Sequence, residues 1–253
     1  MAGSAPADGF LLAIPVFNEE RYVNRVITRA QAYCADVLVV DDGSTDATPQ
    51  LLRELPGVVV IRHAENRGYG ESLADAFRFA KCKGYRWLIT MDCDEQHEPD
   101  AIPRFQAAAL RGDADIISGT RYPVGEPIEA SVPQDRRDIN RRITALLNRR
   151  LGLRLTDAFC GFKAYRVAAL QHLNITVPGY AMPMQLWAQA AATGLRIQEL
   201  PVRLIYNDPT RHFGGLLDDP NVRYHHYLDV FEAELAAPTS AQGQPDPHCT
   251  SCR

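Results

Sequence analysis

Short runs of aliphatic and β-branched residues alternate with segments of helical period through the first half of the chain. Each run stops at a polar cluster. The apolar runs occupy 10–16, 37–40, 58–61, 87–91 and 115–118. Strands separated by helices are joined by crossover connections rather than hairpins, so the pattern predicts an α/β fold with a doubly wound, mostly parallel sheet. In such sheets ligands collect beyond the carboxyl ends of the strands. Polar clusters follow Val16, Val40, Ile61, Met91 and Ser118, and the fold class predicts that they converge on one edge.

Helices are expected over 19–33, from a cap at Asp46 to 55, over 70–81, and from Pro99-Asp100 onward. In the second half a basic helix is expected over 136–151, a glycine-containing turn at 159–163, a helix over 183–193 and a strand over 201–206. Asp219-Pro220 opens a last helix, with Tyr224, Leu228, Phe231 and Leu235 at helical spacing. The motifs run through 10–235, which predicts one domain there, a flexible start over 1–9 and a disordered tail over 236–253, rich in Pro, Gly, Ser, Thr and Gln.

Composition excludes several classes of partner. At 46% hydrophobic and 23% charged, the 253-residue chain is of globular type, and a net charge of −4 argues against nucleic acid. No apolar run approaches the roughly 18–20 residues that span a bilayer, and no signal-peptide pattern opens the chain. Six irregularly spaced cysteines are expected to be reduced thiols in a cytoplasmic protein.

The segment Met91-Asp92-Cys93-Asp94-Glu95-Gln96-His97 carries the strongest chemical signal. Two carboxylates one residue apart, just past a buried strand, make a hard-oxygen site for Mg²⁺ or Mn²⁺; a solvated acidic strand end is the other reading. Between 134 and 154, seven arginines accompany two aspartates around an apolar stripe of Ile139, Ile143, Leu146, Leu147 and Leu151. This helix packs with a solvated basic face, or it meets anionic lipid or an acceptor phosphate. No Asp or Glu lies between Asp157 and Glu199. A hydroxyl nucleophile needs a base and this stretch offers no carboxylate, whereas an already anionic nucleophile needs none. Gly68-Tyr69-Gly70 lacks the third glycine of a dinucleotide fingerprint, and His225-His226 point to different faces of a helix.

Further clusters complete an ordered set: Ile14-Pro15-Val16-Phe17-Asn18-Glu19, Asp41-Asp42-Gly43-Ser44-Thr45-Asp46, His63-Ala64-Glu65-Asn66-Arg67-Gly68, Gly119-Thr120-Arg121-Tyr122 and Asp157-Ala158-Phe159-Cys160-Gly161-Phe162-Lys163. With the Asp-x-Asp-x-Gln-His segment, the set resembles family two of the glycosyltransferases, which have the GT-A fold. Within it the chain is most similar to the dolichyl- and polyprenyl-phosphate sugar transferases.

The resemblance implies roles. Pro15, Phe17 and Glu19 cradle the base and ribose of a GDP- or UDP-sugar, and Asp42, beside Val40, hydrogen-bonds the base. Asp92, Cys93 and Gln96 lie at the nucleotide, while Asp92, Asp94 and Gln96 hold the divalent cation. Asp92, Asp94 and Arg121 serve catalysis; Arg137 and Asp157 serve the acceptor. Gln185 stands where family members often have Glu, and Arg211 replaces a lysine in a loop that departs from the family pattern. The resulting expectation is a metal-dependent, inverting transfer of a sugar to a polyprenyl or dolichyl phosphate, by a protein peripheral on the cytosolic membrane face. The alternatives are a transferase acting on a small-molecule or polysaccharide hydroxyl, and a nucleotide-sugar-binding protein without turnover.

Overall fold

The computed structural model describes residues 9–125, 132–205 and 215–237. The expectations for 1–8, for Arg211 and for the tail beyond 237 lie outside the described residues.

Seven strands form one sheet: β1 (Phe10–Val16), β2 (Val37–Asp41), β3 (Val58–Arg62), β4 (Trp87–Thr90), β5 (Ile116–Thr120), β6 (Lys163–Arg166) and β7 (Ile197–Pro201). Their order is β3-β2-β1-β4-β6-β5-β7, parallel throughout except for β6, which runs antiparallel between β4 and β5. Seven α-helices surround it: α1 (Val23–Gln31), α2 (Thr48–Glu54), α3 (Tyr69–Lys83), α4 (Ile102–Arg111), α5 (Gln134–Leu151), α6 (Met182–Ala192) and α7 (Pro220–Ala236). The sheet is the mixed, mostly parallel α/β arrangement that the alternation predicts.

Strands β1, β2 and β4 are apolar except at the carboxyl-terminal Asp41 and Thr90, because helices cover both faces of the sheet. Side chains alternate with period two, and the core divides accordingly. Leu11 and Ala13 of β1, with Leu38 and Val40 of β2, pack against α3, α5, α6 and α7. Phe10, Leu12 and Ile14, with Val37 and Val39, pack against α1 and α4. Strand order reverses between β1 and β4, with β2 and β3 on one side and the rest on the other. That switch point opens a crevice at the carboxyl ends of β1 and β4.

The structure corrects three expectations in the second half. The segment ending at Lys163 is followed by a strand, β6, which starts at that lysine. Its charged ends, Lys163 and Arg166, hide its apolar character. The strand expected at 201–206 lies earlier, at Ile197–Pro201, where Gln198 and Glu199 interrupt the apolar pattern of an edge strand. Helix α7 starts where expected, its Asp219 carboxylate accepting from the N–H groups of Asn221 and Val222. Of the expected stripe Phe231 is buried, Tyr224 and Leu228 pack partly buried against the core, and Leu235 is exposed; Arg223 and Tyr227 are the further buried residues.

Candidate active site

A cavity of about 760 Å³ opens at the switch point. Loops after β1, β2, β4 and β5 reach it, as do the first turn of α3 and the facing sides of α5 and α7. Pro15, Phe17, Glu19, Asp42, Asp92, Cys93, Asp94, Gln96 and Arg121 all line it.

The loops after β1 and β2 brace one another. Asn18 takes a left-handed backbone (φ 57°), its N–H donating to Ser44 Oγ at 2.9 Å and its Oδ1 accepting from the Thr45 N–H at 2.8 Å. The Glu19 N–H donates to Thr48 Oγ1 at 2.8 Å. Phe17 is left 44% exposed, a flat apolar ring at the cavity wall of the kind on which a nucleobase stacks.

The loop after β4 carries the acidic pair. Its turn runs through Glu95, the second left-handed non-glycine residue (φ 59°), whose carboxylate pairs with Arg25 of α1. Two such strained turns at one cavity mark a site where backbone geometry is held by its surroundings. Asp94 is buried, and its Oδ1 accepts from the Gln96 N–H at 3.0 Å. Asp92 accepts from the Tyr69 hydroxyl at 3.2 Å, and its other oxygen lies 3.7 Å from His97 Nε2. Burial drives the His97 ring down to about 4, so the imidazole is neutral at physiological pH. Gly161 presses against Asp92 from behind: a Cβ there would lie 2.2 Å from an Asp92 oxygen. The glycine of the Phe159–Lys163 segment is therefore the space that Asp92 occupies.

Among the described residues, no three His, Cys, Asp or Glu side chains form a ligand cluster. The loop after β4 brings the Asp92 and Asp94 carboxylates to the cavity as a pair. That donor set fits Mg²⁺ or Mn²⁺, hard ions that are held by one or two carboxylates and complete their shell with water and substrate phosphate.

Arg121, after β5, lies over the fully buried Asp157. Its guanidinium makes two bonds to that carboxylate, at 2.6 and 2.8 Å, and Asn140 of α5 donates a third at 2.7 Å. Burial alone would raise the Asp157 carboxyl, but the Arg121 charge and these hydrogen bonds hold it well below the usual carboxylate range. Asp157 is thus buried beneath Arg121, outside the residues that line the cavity, and its carboxylate holds the guanidinium in place.

Two further expectations change. Val40 is fully buried in the core on the α3 side: it shares a face with Asp42 but lies two residues earlier, inside β2, where the core covers it. Arg136, not Arg137, lines the main cavity; Arg137 lines a second cavity of about 330 Å³. Arg136 lies three and four residues before the buried Ile139 and Asn140, so helical spacing places it on their face. Arg223 also lines the main cavity; it is buried, bonded to Asp135 at 2.6 Å and to the Leu217 carbonyl at 2.8 Å. Its four-residue spacing from Tyr227 was the only sequence signal for it.

The remaining acidic and amide groups nearby are structural. Gln185 holds the 176–177 backbone, accepting from both N–H groups, and it donates to Glu234. Glu199 accepts from the N–H groups of Thr156 and Asp157. Among the described residues lining the cavity, the carboxylates are Glu19, Asp42, Asp92 and Asp94, all on the β1, β2 and β4 side. The loop after β5 and helices α5 and α7 bring the guanidinium groups of Arg121, Arg136 and Arg223 to the same cavity.

The model of glycosyl transferase family 2 matches residues 12–173. The undecaprenyl-phosphate mannosyltransferase of Micrococcus luteus is 29% identical over 220 residues, covering 83% of this chain and 89% of that one. The polyprenol monophosphomannose synthase of Mycolicibacterium smegmatis is 30% identical over 207 residues, covering 78% and 77%. Among solved structures, glucosyl-3-phosphoglycerate synthase from Mycobacterium tuberculosis, in complex with Mn²⁺, UDP and phosphoglyceric acid, superposes with a TM-score of 0.68. It is 20% identical, with 91% of this chain and 80% of that one covered, a likeness of fold.

Proposed function

The chain belongs to glycosyl transferase family 2 and is a glycosyltransferase, and from that premise we propose that it moves a sugar from a nucleoside-diphosphate donor to a polyprenyl or dolichyl phosphate. The observation that carries this reading is that one cavity is lined both by carboxylates from the loops after β1, β2 and β4 and by arginines from the β5 loop, α5 and α7. Phe17 stacks on the base and Asp42 accepts its ring N–H. Asp92 and Asp94 would hold Mg²⁺ or Mn²⁺, with Gln96 beside them. When bound, the cation would offset charge that develops on the leaving diphosphate.

Arg121 and Arg136 receive the acceptor phosphate, with Arg223 behind them. The phosphate oxygen attacks the anomeric carbon in line, opposite the departing diphosphate, and the configuration inverts. A hydroxyl acceptor would require a general base within hydrogen-bond reach. Asp157 is tied to Arg121, and Glu199 and Gln185 are spent on backbone groups. A phosphate monoester needs no base and is drawn to the arginines that are present.

The relatives named for polyprenyl substrates support the acceptor assignment. No helix among the described residues is long and apolar enough to cross a membrane. Val124 and Leu216 are 90% and 81% exposed, each next to or two residues from a cavity-lining side chain, and Arg141 of α5 is exposed as well. These groups suit a peripheral approach to an anionic bilayer that holds the acceptor.

Donor binding is tested by thermal unfolding with Mn²⁺ and each nucleoside diphosphate. An ionised Asp42 accepts only, so it suits uracil and guanine, which carry a ring N–H, and opposes cytosine and adenine, which present a ring acceptor. At about 100 times Kd, UDP or GDP should raise Tm by roughly 5–10 °C, with CDP and ADP giving little. No rise with any of the four contradicts the donor assignment.

A further inference from the structure

The cluster after β3 has no part in the reading above, although its His63 is almost fully buried and touches the site from behind. Asp42 accepts three protein hydrogen bonds. The N–H groups of Arg67 and Gly68 donate to Oδ1 and Oδ2, both at 2.8 Å, and His63 Nδ1 lies 2.6 Å from Oδ1. The other ring nitrogen of His63, Nε2, lies 2.7 Å from Asp75 Oδ2 on α3. Asp75 pairs in turn with Arg78, Arg78 with Glu71 at 3.0 Å, and Glu71 with Arg67 at 2.9 Å. Arg67 is the residue whose backbone N–H returns to Asp42. The circuit is anchored in the sheet by the His63 N–H, which donates to the Asp41 carbonyl at 2.9 Å.

We propose that His63 and Asp75 are positioning residues for nucleotide recognition, holding the Asp42 carboxylate in one orientation toward the base. The inference rests on the reading of Asp42 as the base contact. Each ring nitrogen of His63 lies within hydrogen-bond distance of one carboxylate, so the imidazole ties Asp42 to Asp75 of α3. A carboxylate has about four acceptor sites. The protein contacts on Asp42 fill three of them, and Asp42 is among the residues that line the cavity. Rotation of the carboxylate would break these bonds, so a base donor finds the remaining site already aimed.

The test is calorimetric titration of the full chain with UDP and GDP in Mn²⁺, and separately with inorganic diphosphate in Mn²⁺, a probe that lacks the base. His63→Phe removes both ring nitrogens and should weaken nucleotide binding roughly 10- to 100-fold, with diphosphate affinity unchanged within about twofold. Asp75→Asn keeps the shape of α3 and should weaken nucleotide binding by about 3- to 10-fold. His63→Asn restores a donor near the Nδ1 position and should recover part of the loss. Equal losses for nucleotide and diphosphate would mean a merely structural role and overturn the proposal. So would unchanged nucleotide affinity in Asp75→Asn and His63→Phe, and if His63→Phe fails to fold, the other two variants decide. Asp42→Ala separates the two readings. If it loses nucleotide affinity while the His63 and Asp75 variants do not, only the positioning role fails; if it loses none, the base contact and the proposal fail together.

Discussion

Asp94→Asn should lower the rate of sugar transfer by at least 100-fold while leaving Tm within about 2 °C of the parent. A hundredfold loss corresponds to about 2.7 kcal/mol of transition-state stabilisation, a usual size for removing one charged group that faces developing charge. Asp94 is suited to that role because it is buried at the turn after β4, beside a cavity, and its position is set by the left-handed Glu95 and the Arg25 pair behind it. Asparagine keeps the acceptor for the Gln96 N–H, so the fold is spared. The loss should be specific to the cation. Nucleotide affinity without Mn²⁺ should match the parent, whereas the gain on adding Mn²⁺ should vanish. Initial rates at saturating donor, read beside calorimetry with and without Mn²⁺, check both halves.

Arg121→Ala should be the most destabilising single change at the site, by roughly 3–5 kcal/mol, because it strands a buried carboxylate. Asp157 has no exposure and relies on Arg121 for its charge partner, with Asn140 and backbone groups as further donors. The pH dependence has a definite sign. In the parent, the Asp157 carboxyl sits below its unfolded value, so its contribution is present above that value and is lost as pH falls toward the folded one. Without Arg121, desolvation dominates and raises the carboxyl, so the variant loses stability as pH rises through the raised value. The deficit between parent and variant should therefore widen from pH 4 to pH 7 in urea unfolding. Arg121→Ala/Asp157→Asn should recover much of the stability without recovering transfer, since the phosphate contact stays absent.

The donor side of this site was legible in the sequence because it is local. Strand ends at Val16, Asp41 and Thr90 place Phe17, Asp42, Asp92 and Asp94 at one edge, and alternation along a strand is enough to say so. Val40 shares a face with Asp42 but lies within β2 rather than past its end, so the core covers it. The acceptor side is built from helix faces and from contacts across long stretches of chain. Arg136 and Arg137 differ by one residue and by about 100° of rotation, so choosing between them requires the inward face of α5 to be fixed. Arg223 reaches the cavity from α7, and its pair with Asp135 of α5 spans 88 residues. Asp157 read as a site carboxylate because nothing in the chain shows that Arg121 covers it. Lys163 and Glu199 misled for a related reason: a buried lysine at the head of β6 and a glutamate inside β7 break the apolar pattern by which strands are recognised.

The central claim is that the attacking group is a phosphate oxygen, which is received by arginines and requires no general base. Its most direct measurement supplies the protein with labelled UDP- or GDP-sugar and Mn²⁺, and offers a polyprenyl phosphate and the corresponding polyprenol side by side in detergent. Label should pass to the phosphorylated lipid and not to the alcohol. Transfer to the alcohol, or to soluble hydroxyl acceptors while the lipid phosphate stays unlabelled, would contradict the account.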